Sequence, residues 1–202
     1  MVQAAIHGFI LALGLILPLG VQNLFIFNQG AVQRNLKNVM PAVITAALCD
    51  TILICFAVLG VSVVLLKITV FKTVLLVGGI CFLIYMGYVM WKSKTSQEEE
   101  PAKIFTAKKQ IVFAMSVSLL NPHAIMDTIG VIGTNSLLYN GEEKIVFTII
   151  CIIVSWIWFI ALAIIGKIIG KIDKQGNMLV LLNKISAVIM WGMALMMLLS
   201  VF

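Results

Sequence analysis

The sequence predicts an all-α polytopic membrane protein with six transmembrane helices, arranged as two inverted three-helix repeats. Three observations lead to this fold class. The 202 residues are 62% hydrophobic and 11% charged, with a mean hydropathy of +1.13. Apolar stretches long enough to cross about 30 Å of hydrocarbon recur along the whole chain. The second half also repeats the first, because Pro122 and its surroundings stand 104 residues after Pro18.

The six predicted spans leave little chain for a soluble domain, so residues 1–202 form one membrane domain. Residues 1–92 make the first repeat, 93–109 a linker and 110–202 the second repeat. The linker contains three glutamates followed by Pro101, which is typical of a solvated loop. The first span lacks the basic flank and cleavage site of a signal peptide. The spans cover residues 4–27, 41–66, 70–91, 110–134, 145–166 and 178–201.

The basic residues lie mainly in alternate loops. The loop after span 1, the linker with Lys92 just before it, and the loop that leads into span 6 with Lys184 early in that span together hold 11 of the 14 lysines and arginines. The positive-inside rule predicts that these loops are cytoplasmic and that both termini lie outside. The net charge of +6 therefore reflects topology, and no nucleic-acid partner is expected.

The four cysteines all lie within spans, at positions 49, 55, 81 and 151. The sequence has no CxxC pair and no histidine–cysteine spacing typical of a metal site. We expect these cysteines to pack as small apolar residues.

The internal repeat predicts where the membrane helices break. Pro18 aligns with Pro122, and Asn23 aligns with Asp127. Each half holds an odd number of spans, so the second half enters the membrane from the opposite side. Inverted repeats of this kind occur in many secondary transporters, whose sites lie near the midplane at broken helices. Span 1 is predicted to break at Pro18 and Gly20, and span 4 at Pro122.

Asp50 and Asp127 are the two acidic residues that lie inside the predicted spans. A carboxylate near the bilayer centre costs about 3 kcal/mol on insertion scales, and such groups usually face a substrate or ion path. Asp50 has no basic residue in its own span. It either contacts a cation, or it bonds an amide or hydroxyl of another helix, or it is protonated and silent.

The motif in span 4 combines a helix start with an acid. Pro122 can begin a half-helix with Asn121 as its N-cap, and the free N–H groups there favour a substrate carboxylate. Asp127, five residues further on and followed by Thr128, could bind an ammonium group. His123 lies four residues before Asp127 and can share its face, either in a proton relay or as a structural hydrogen-bonding residue.

The corresponding motif in span 1 carries amides where span 4 carries an acid. Gln22 and Asn23 bring donors and acceptors to the depth of the Pro18 break. They either face a ligand or bond neighbouring helices at a packing kink.

Span 5 contains no acid where the counterpart of Asp50 would fall. Ser155, Trp156 and Trp158 occupy that region. Tryptophan can stack on a cationic ligand, but packing or interfacial anchoring is its more frequent role in membranes, and we favour it. Glycines that we expect to permit close helix approach are Gly78, Gly79, Gly87, Gly166 and Gly170.

Together these motifs resemble the LysE/ArgO family of bacterial basic amino acid exporters. The matching strings are PLGVQN at 18–23, NQG at 28–30, CDT at 49–51, LNPHA at 120–124 and DT at 127–128, with Gly87, Trp91, Asn183, Trp191 and Gly192 fitting weaker signatures.

The resemblance implies a multi-pass protein of the bacterial inner membrane. Its function would be export of L-lysine, L-arginine or close analogues, driven by the membrane potential or by proton exchange, without a cofactor. The predicted substrate-binding residues are Gln22, Asn23, Asp50, Asn121, Asp127 and Thr128. The predicted proton-relay residues are Asp50 and His123.

Other functions stay open at this point. The wider superfamily includes exporters of neutral amino acids and of metal ions. Both acids, with Asn23 and Asn121, could supply oxygen ligands to a divalent cation, although the lack of a His-rich loop counts against a metal. An enzyme is not expected, because two histidines 116 residues apart do not form a convincing catalytic site. Self-association into a homo-oligomer is also left open.

Overall fold

The structure is a computed structural model that describes residues 1–17, 20–60, 77, 80–81, 83–85, 87–92, 105–119, 125, 128–172 and 177–199. Within these ranges the regular structure is helical and contains no strand, which confirms the all-α class. The main elements are α1 (Val2–Ile16), α2 (Val21–Val32), a 3₁₀ turn (Leu36–Asn38), α3 (Met40–Val58), α4 (Ala107–Leu119), a π-helical segment (Thr128–Gly133), α5 (Thr134–Ser136), α6 (Gly141–Ile172) and α7 (Asn177–Leu199).

Two of the described helices, α3 and α6, are long and apolar enough to cross a membrane. Helices α1 and α2 would form a third crossing if the bent pair is one span, and their axes differ by 77°. Leu17 and Gly20 lie at this bend, in the region where the sequence predicts a break in span 1, while Pro18 itself lies outside the described residues. The total of six spans stays a prediction, because much of span 3 also lies outside them.

Helix α3 ends at Val58, well before the end of the apolar stretch at 66. Gly60 adopts a left-handed backbone conformation with φ 74°, and its N–H donates to the carbonyl oxygen of Ala57 at 3.2 Å. A glycine in this conformation is a common helix terminator, because a side chain would be strained there. Hydropathy alone does not reveal this end.

Helix α3 has one exposed apolar face, suited to lipid, and one face that packs inside the protein. On the inner face, Asp50 stands one turn from buried Ala46 and one turn from buried Ile54. Side chains four residues apart share a helix face. The exposed apolar residues at this spacing on the other face are Ile44, Leu48, Ile52 and Phe56.

Helix α6 packs against both halves of the bent pair and against α3. Its contact with α2 is close, because a Cβ added at Gly30 would overlap the carbonyl oxygen of Ala163. In the same way, a Cβ at Gly166 would overlap the carbonyl oxygen of Phe27, and one at Gly170 would overlap that of Ala31. The predicted role of Gly166 and Gly170 in close helix approach is therefore confirmed.

Another predicted glycine also lies at a close helix contact. A Cβ at Gly87 would overlap the indole of Trp191 on α7, which confirms the expectation for this residue. The remaining two, Gly78 and Gly79, lie outside the described residues.

Helix α3 makes a reciprocal set of contacts. It packs against α4 and against the π-helical segment, which are the described parts of span 4. A Cβ at Gly133 would lie 3.1 Å from the carbonyl oxygen of Ala57. Span 5 thus packs on span 1, and span 2 packs on span 4, each with a glycine near a carbonyl of the partner helix.

The predicted cytoplasmic loops meet at one end of the molecule. The Lys167 ammonium donates to the carbonyl oxygens of Gln33 and Arg34 at 2.5 and 2.6 Å. This places a cation at the C-terminal end of α2, where carbonyls lack helical partners. The Gln33 amide donates in turn to the carbonyl oxygen of Phe105, at the end of the linker, at 2.9 Å.

The opposite end carries the N-terminus. The Met1 ammonium pairs with the Glu143 carboxylate at 2.5 Å, and the His7 ring nitrogen Nδ1 lies 2.9 Å from the Tyr139 hydroxyl. The N-terminus and the start of α6 therefore lie at this end, whereas the loop after span 1, the end of the linker and the C-terminal part of α6 lie at the other. The assignment of the end with the loop after span 1 to the cytoplasm stays a prediction.

The packing of α2 on α6 predicts unequal effects of one added methyl group. Gly166→Ala should lower the thermal unfolding midpoint of the detergent-purified protein, because overpacking typically costs about 1–3 kcal/mol. Gly14→Ala is the matched control, since Gly14 is exposed on α1 with nothing within 4 Å of an added Cβ. It should be neutral or stabilising, because alanine is the better helix former. Equal midpoints for both variants would contradict this packing.

Candidate functional site

Asp50 lies where three helices meet. Its side chain is half-buried on the inner face of α3. The Gln22 amide nitrogen of α2 donates to Oδ1 at 3.3 Å, and the Ser155 hydroxyl of α6 donates to Oδ2 at 3.2 Å. Asp50 makes no ion pair with any residue in the described part of the chain. Neutral donors therefore hold this carboxylate.

A second polar contact lies beside the first. The Trp156 indole nitrogen donates to the Thr51 hydroxyl oxygen at 3.1 Å, and that hydroxyl donates to the carbonyl oxygen of Ala47 at 2.7 Å. Residues 50 and 51 of α3 thus bond residues 155 and 156 of α6 in order. Trp156 and Trp158 pack against the apolar core, in agreement with the packing role favoured from the sequence. A buried tryptophan usually finds a partner for its N–H, as Trp156 does here.

The two amides after the span 1 bend point in different directions. Gln22 and Asn23 are 8% and 5% exposed, near the start of α2. Gln22 reaches Asp50, whereas the Asn23 amide nitrogen donates back to the carbonyl oxygen of Ile16 at 2.6 Å. That carbonyl belongs to the last turn of α1 and lacks a partner within its helix. Asn23 therefore ties the two halves of the bent pair together.

Much of the second motif lies outside the described residues. These include Pro122, its neighbours Asn121 and His123, and Asp127, so the predictions about them remain predictions. Thr128 is described and begins the π-helical segment, which packs on α3 through an apolar cluster that includes Ala57 and Ile129. Wide helical turns of this type are frequent at functional sites.

The structure also shows contacts to which the sequence assigns no role. Ser155 contacts Asp50 at a separation of 105 residues, so the repeat offset is the signal that could have pointed to it. The Asn28 amide nitrogen donates to the Asn183 side-chain oxygen at 2.7 Å and links α2 to α7. Both asparagines belong to the strings that carry the family resemblance.

A metal ion would need several oxygen or nitrogen ligands at one place. The described residues contain no group of three or more His, Cys, Asp or Glu side chains that could hold one. Among the described residues, Asp50 and its amide and hydroxyl neighbours form a polar site with one carboxylate.

Comparison with known proteins identifies the family. The model of the LysE type translocator family matches residues 13–201. The chain belongs to this family. The resemblance found from the motifs is therefore confirmed, and the chain is a multi-pass membrane translocator. Members of this family are transporters rather than enzymes.

Several relatives align over nearly the whole chain. A Bacillus subtilis protein named "Putative amino-acid transporter YisU" is 55% identical over 192 residues, covering 95% of this chain and 87% of its own. The arginine exporter protein ArgO of Serratia proteamaculans is 30% identical and covers 96% of each chain. ArgO of Escherichia coli K12 is 31% identical, covering 94% of this chain and 90% of its own. No solved structure matches the chain.

The contact between α3 and α6 predicts different effects for two neighbouring tryptophans. Trp156→Phe should destabilise the protein by about 1 kcal/mol, because it removes the hydrogen bond to Thr51. The buried Trp158 indole nitrogen has no hydrogen-bond partner among the described residues, so Trp158→Phe removes no hydrogen bond to that part of the chain. Thermal unfolding in detergent measures both. A larger loss for Trp158→Phe than for Trp156→Phe would contradict the assignment.

Proposed function

We propose that this translocator exports basic L-amino acids, namely lysine, arginine or close analogues, from the bacterial cytoplasm. It would act as a secondary transporter driven by a proton gradient or by the membrane potential. One observation carries the proposal: Asp50 is a half-buried carboxylate in an apolar helix, held by neutral donors and without an ion pair in the described part of the chain.

The energetic argument starts from the cost of that carboxylate. Placing an aspartate at membrane depth costs about 3 kcal/mol or more. A structural role would be fulfilled as well by an uncharged side chain. A cationic substrate that passes the site would offset the cost while it is bound, which is a reason to keep the acid. The relatives named as arginine exporters support a basic substrate.

The contacts between the halves support an inverted repeat. A twofold operator exchanges a residue with its counterpart, so the two can touch only near the axis. Asp50 bonds Ser155 at a separation of 105 residues, and Gly87 meets Trp191 at a separation of 104. Both contacts fit an axis that passes between spans 2 and 5 and between spans 3 and 6.

The mechanism that we infer uses both halves of the repeat. The half-helix that begins at Pro122, capped by Asn121, would receive the substrate carboxylate, and Asp127 would bind its ammonium group. Thr128 would complete the cavity, and Asn23, whose amide bonds the carbonyl oxygen of Ile16, would hold the bent helix at its edge. Asp50, with Gln22, would provide a second cation contact or carry the coupling proton, with His123 as its relay. Access would alternate when one three-helix unit moves against the other.

Purified protein in liposomes tests the substrate directly. Counterflow of radiolabelled arginine, lysine, threonine and a divalent metal such as Mn²⁺ should show transport of the first two. Threonine transport alone would favour a neutral amino acid exporter, and Mn²⁺ transport alone would favour a metal exporter. Either result would overturn the proposal.

Neutralising either acid should strongly reduce this transport. Asp127→Asn and Asp50→Asn should each lower arginine and lysine flux by more than about tenfold, because a hydrogen bond to a charged group contributes about 1.5–3 kcal/mol. Glu143→Gln is the matched control, since this carboxylate pairs with the N-terminus at the end of the molecule. It should keep the wild-type rate. Wild-type flux in correctly inserted Asp127→Asn protein would exclude a binding role for that acid.

A pH gradient separates the two roles considered for Asp50. If Asp50 carries the proton, residual flux in Asp50→Asn should lose its dependence on an imposed pH gradient, while Glu143→Gln retains it. If Asp50→Asn keeps the wild-type dependence, Asp50 is not the proton carrier.

A further inference from the structure

We propose that Ser155 is a positioning residue that fixes the plane of the Asp50 carboxylate and thereby favours arginine over lysine. This inference rests on the proposed export of basic amino acids, with Asp50 as the second cation contact, and adds a determinant of the choice between arginine and lysine. Its basis is the hydrogen bond from the Ser155 hydroxyl of α6 to Asp50 Oδ2 of α3, at 3.2 Å.

The direction of this hydroxyl distinguishes it from other hydroxyls in these helices. A serine or threonine inside a helix commonly donates to the carbonyl oxygen one turn earlier, which satisfies it locally. Thr45 donates to Pro41, Thr51 to Ala47, Ser116 to Val112 and Thr148 to Lys144 in this way.

Ser155 instead donates to a carboxylate on another helix. A hydroxyl has one proton to donate, so this bond replaces the local one. The side chain is 3% exposed, which leaves water little access to compete for that proton.

The two donors to Asp50 act from different helices. Gln22 of α2 bonds one carboxylate oxygen, and Ser155 of α6 bonds the other. Because each oxygen is held separately, rotation of the carboxylate about its own bond would break both contacts. A carboxylate offers about four acceptor positions, so two remain for a ligand.

Fixing the carboxylate plane matters differently for the two substrates. A guanidinium is a planar fork that binds both oxygens of a carboxylate in parallel, so it requires a defined plane. An ammonium group is a compact charge with rotatable donors and tolerates a turned carboxylate. Loss of the Ser155 hydrogen bond should therefore weaken the binding of arginine more than the binding of lysine.

The register of α6 supports this role. Trp156, the next residue, donates to Thr51, the residue after Asp50, at 3.1 Å. This adjacent bond fixes the position of α6 on α3 and keeps the Ser155 hydroxyl opposite the carboxylate. Removing the Ser155 hydroxyl alone should therefore leave the helix contact in place.

The experiment combines transport kinetics with a spectroscopic signal from Asp50. The proteins are wild type, Ser155→Ala, Ser155→Thr and the control Ser136→Ala, each full-length in liposomes. Ser136 is also fully buried, but its hydroxyl donates to the nearby carbonyl oxygen of Gly133. The infrared carboxyl band of Asp50 is assigned by its loss in Asp50→Asn.

We expect Ser155→Ala to shift the Asp50 band and to raise the KM for arginine about fivefold, as for one lost hydrogen bond. The KM for lysine should rise less than about twofold, and the maximal rates should change little. Ser155→Thr keeps a hydroxyl and should restore the wild-type ratio of the arginine KM to the lysine KM. Ser136→Ala should match wild type in both measurements.

The outcomes separate this inference from the proposed function. An unshifted Asp50 band in Ser155→Ala overturns the positioning role, whatever the flux. A shifted band with an unchanged arginine-to-lysine KM ratio overturns the claim about specificity alone. Wild-type liposomes that transport neither arginine nor lysine overturn the proposed function, and the specificity claim with it.

Discussion

The carboxylate of Asp50 places the strictest physical demand on the described part of the fold. A charge at membrane depth is tolerated only where polar groups of the protein surround it. No single helix provides these groups, because the donors come from Gln22 on α2 and Ser155 on α6. The three helices must therefore converge at one point, and the remainder of the packing can be understood from this requirement.

Glycines make the convergence sterically feasible. Helices α2 and α6 run side by side, with Gly30 against Ala163 at one contact and Gln22 and Ser155 around Asp50 at the other. Eight residues, about 12 Å of helix, separate the two contacts on each of the two helices. Close approach at the glycines thus sets the register that delivers both donors to the same carboxylate.

The sequence was sufficient for some of these features and insufficient for others. The all-helical class, the region of the span 1 bend and the inward position of Asp50 follow from composition, proline and the cost of a buried acid. The partners of Asp50 do not, because Gln22 and Ser155 lie 28 and 105 residues away and meet it only through tertiary packing. The end of α3 depends on the backbone conformation of Gly60, which hydropathy does not register.

The adjacent amides Gln22 and Asn23 have different partners in the structure. The sequence places both amides of the span 1 motif at one depth, and either could face a ligand. In the structure Gln22 turns to Asp50 while Asn23 satisfies a carbonyl of α1 across the bend. The same chemical group thus supports the site in one case and the bent helix in the other, within adjacent positions.

The proposed mechanism requires the two repeats to build one cation site around their breaks. The direct measurement is cross-linking of cysteines at positions 23 and 127, placed in a background without the four native cysteines. A short thiol-specific cross-linker should join the pair in liposomes. The contrary result is a pair that does not cross-link under a pH gradient of either direction, although each cysteine alone reacts with a small thiol reagent. In that case the halves frame separate compartments, and the 104-residue offset reflects span lengths alone.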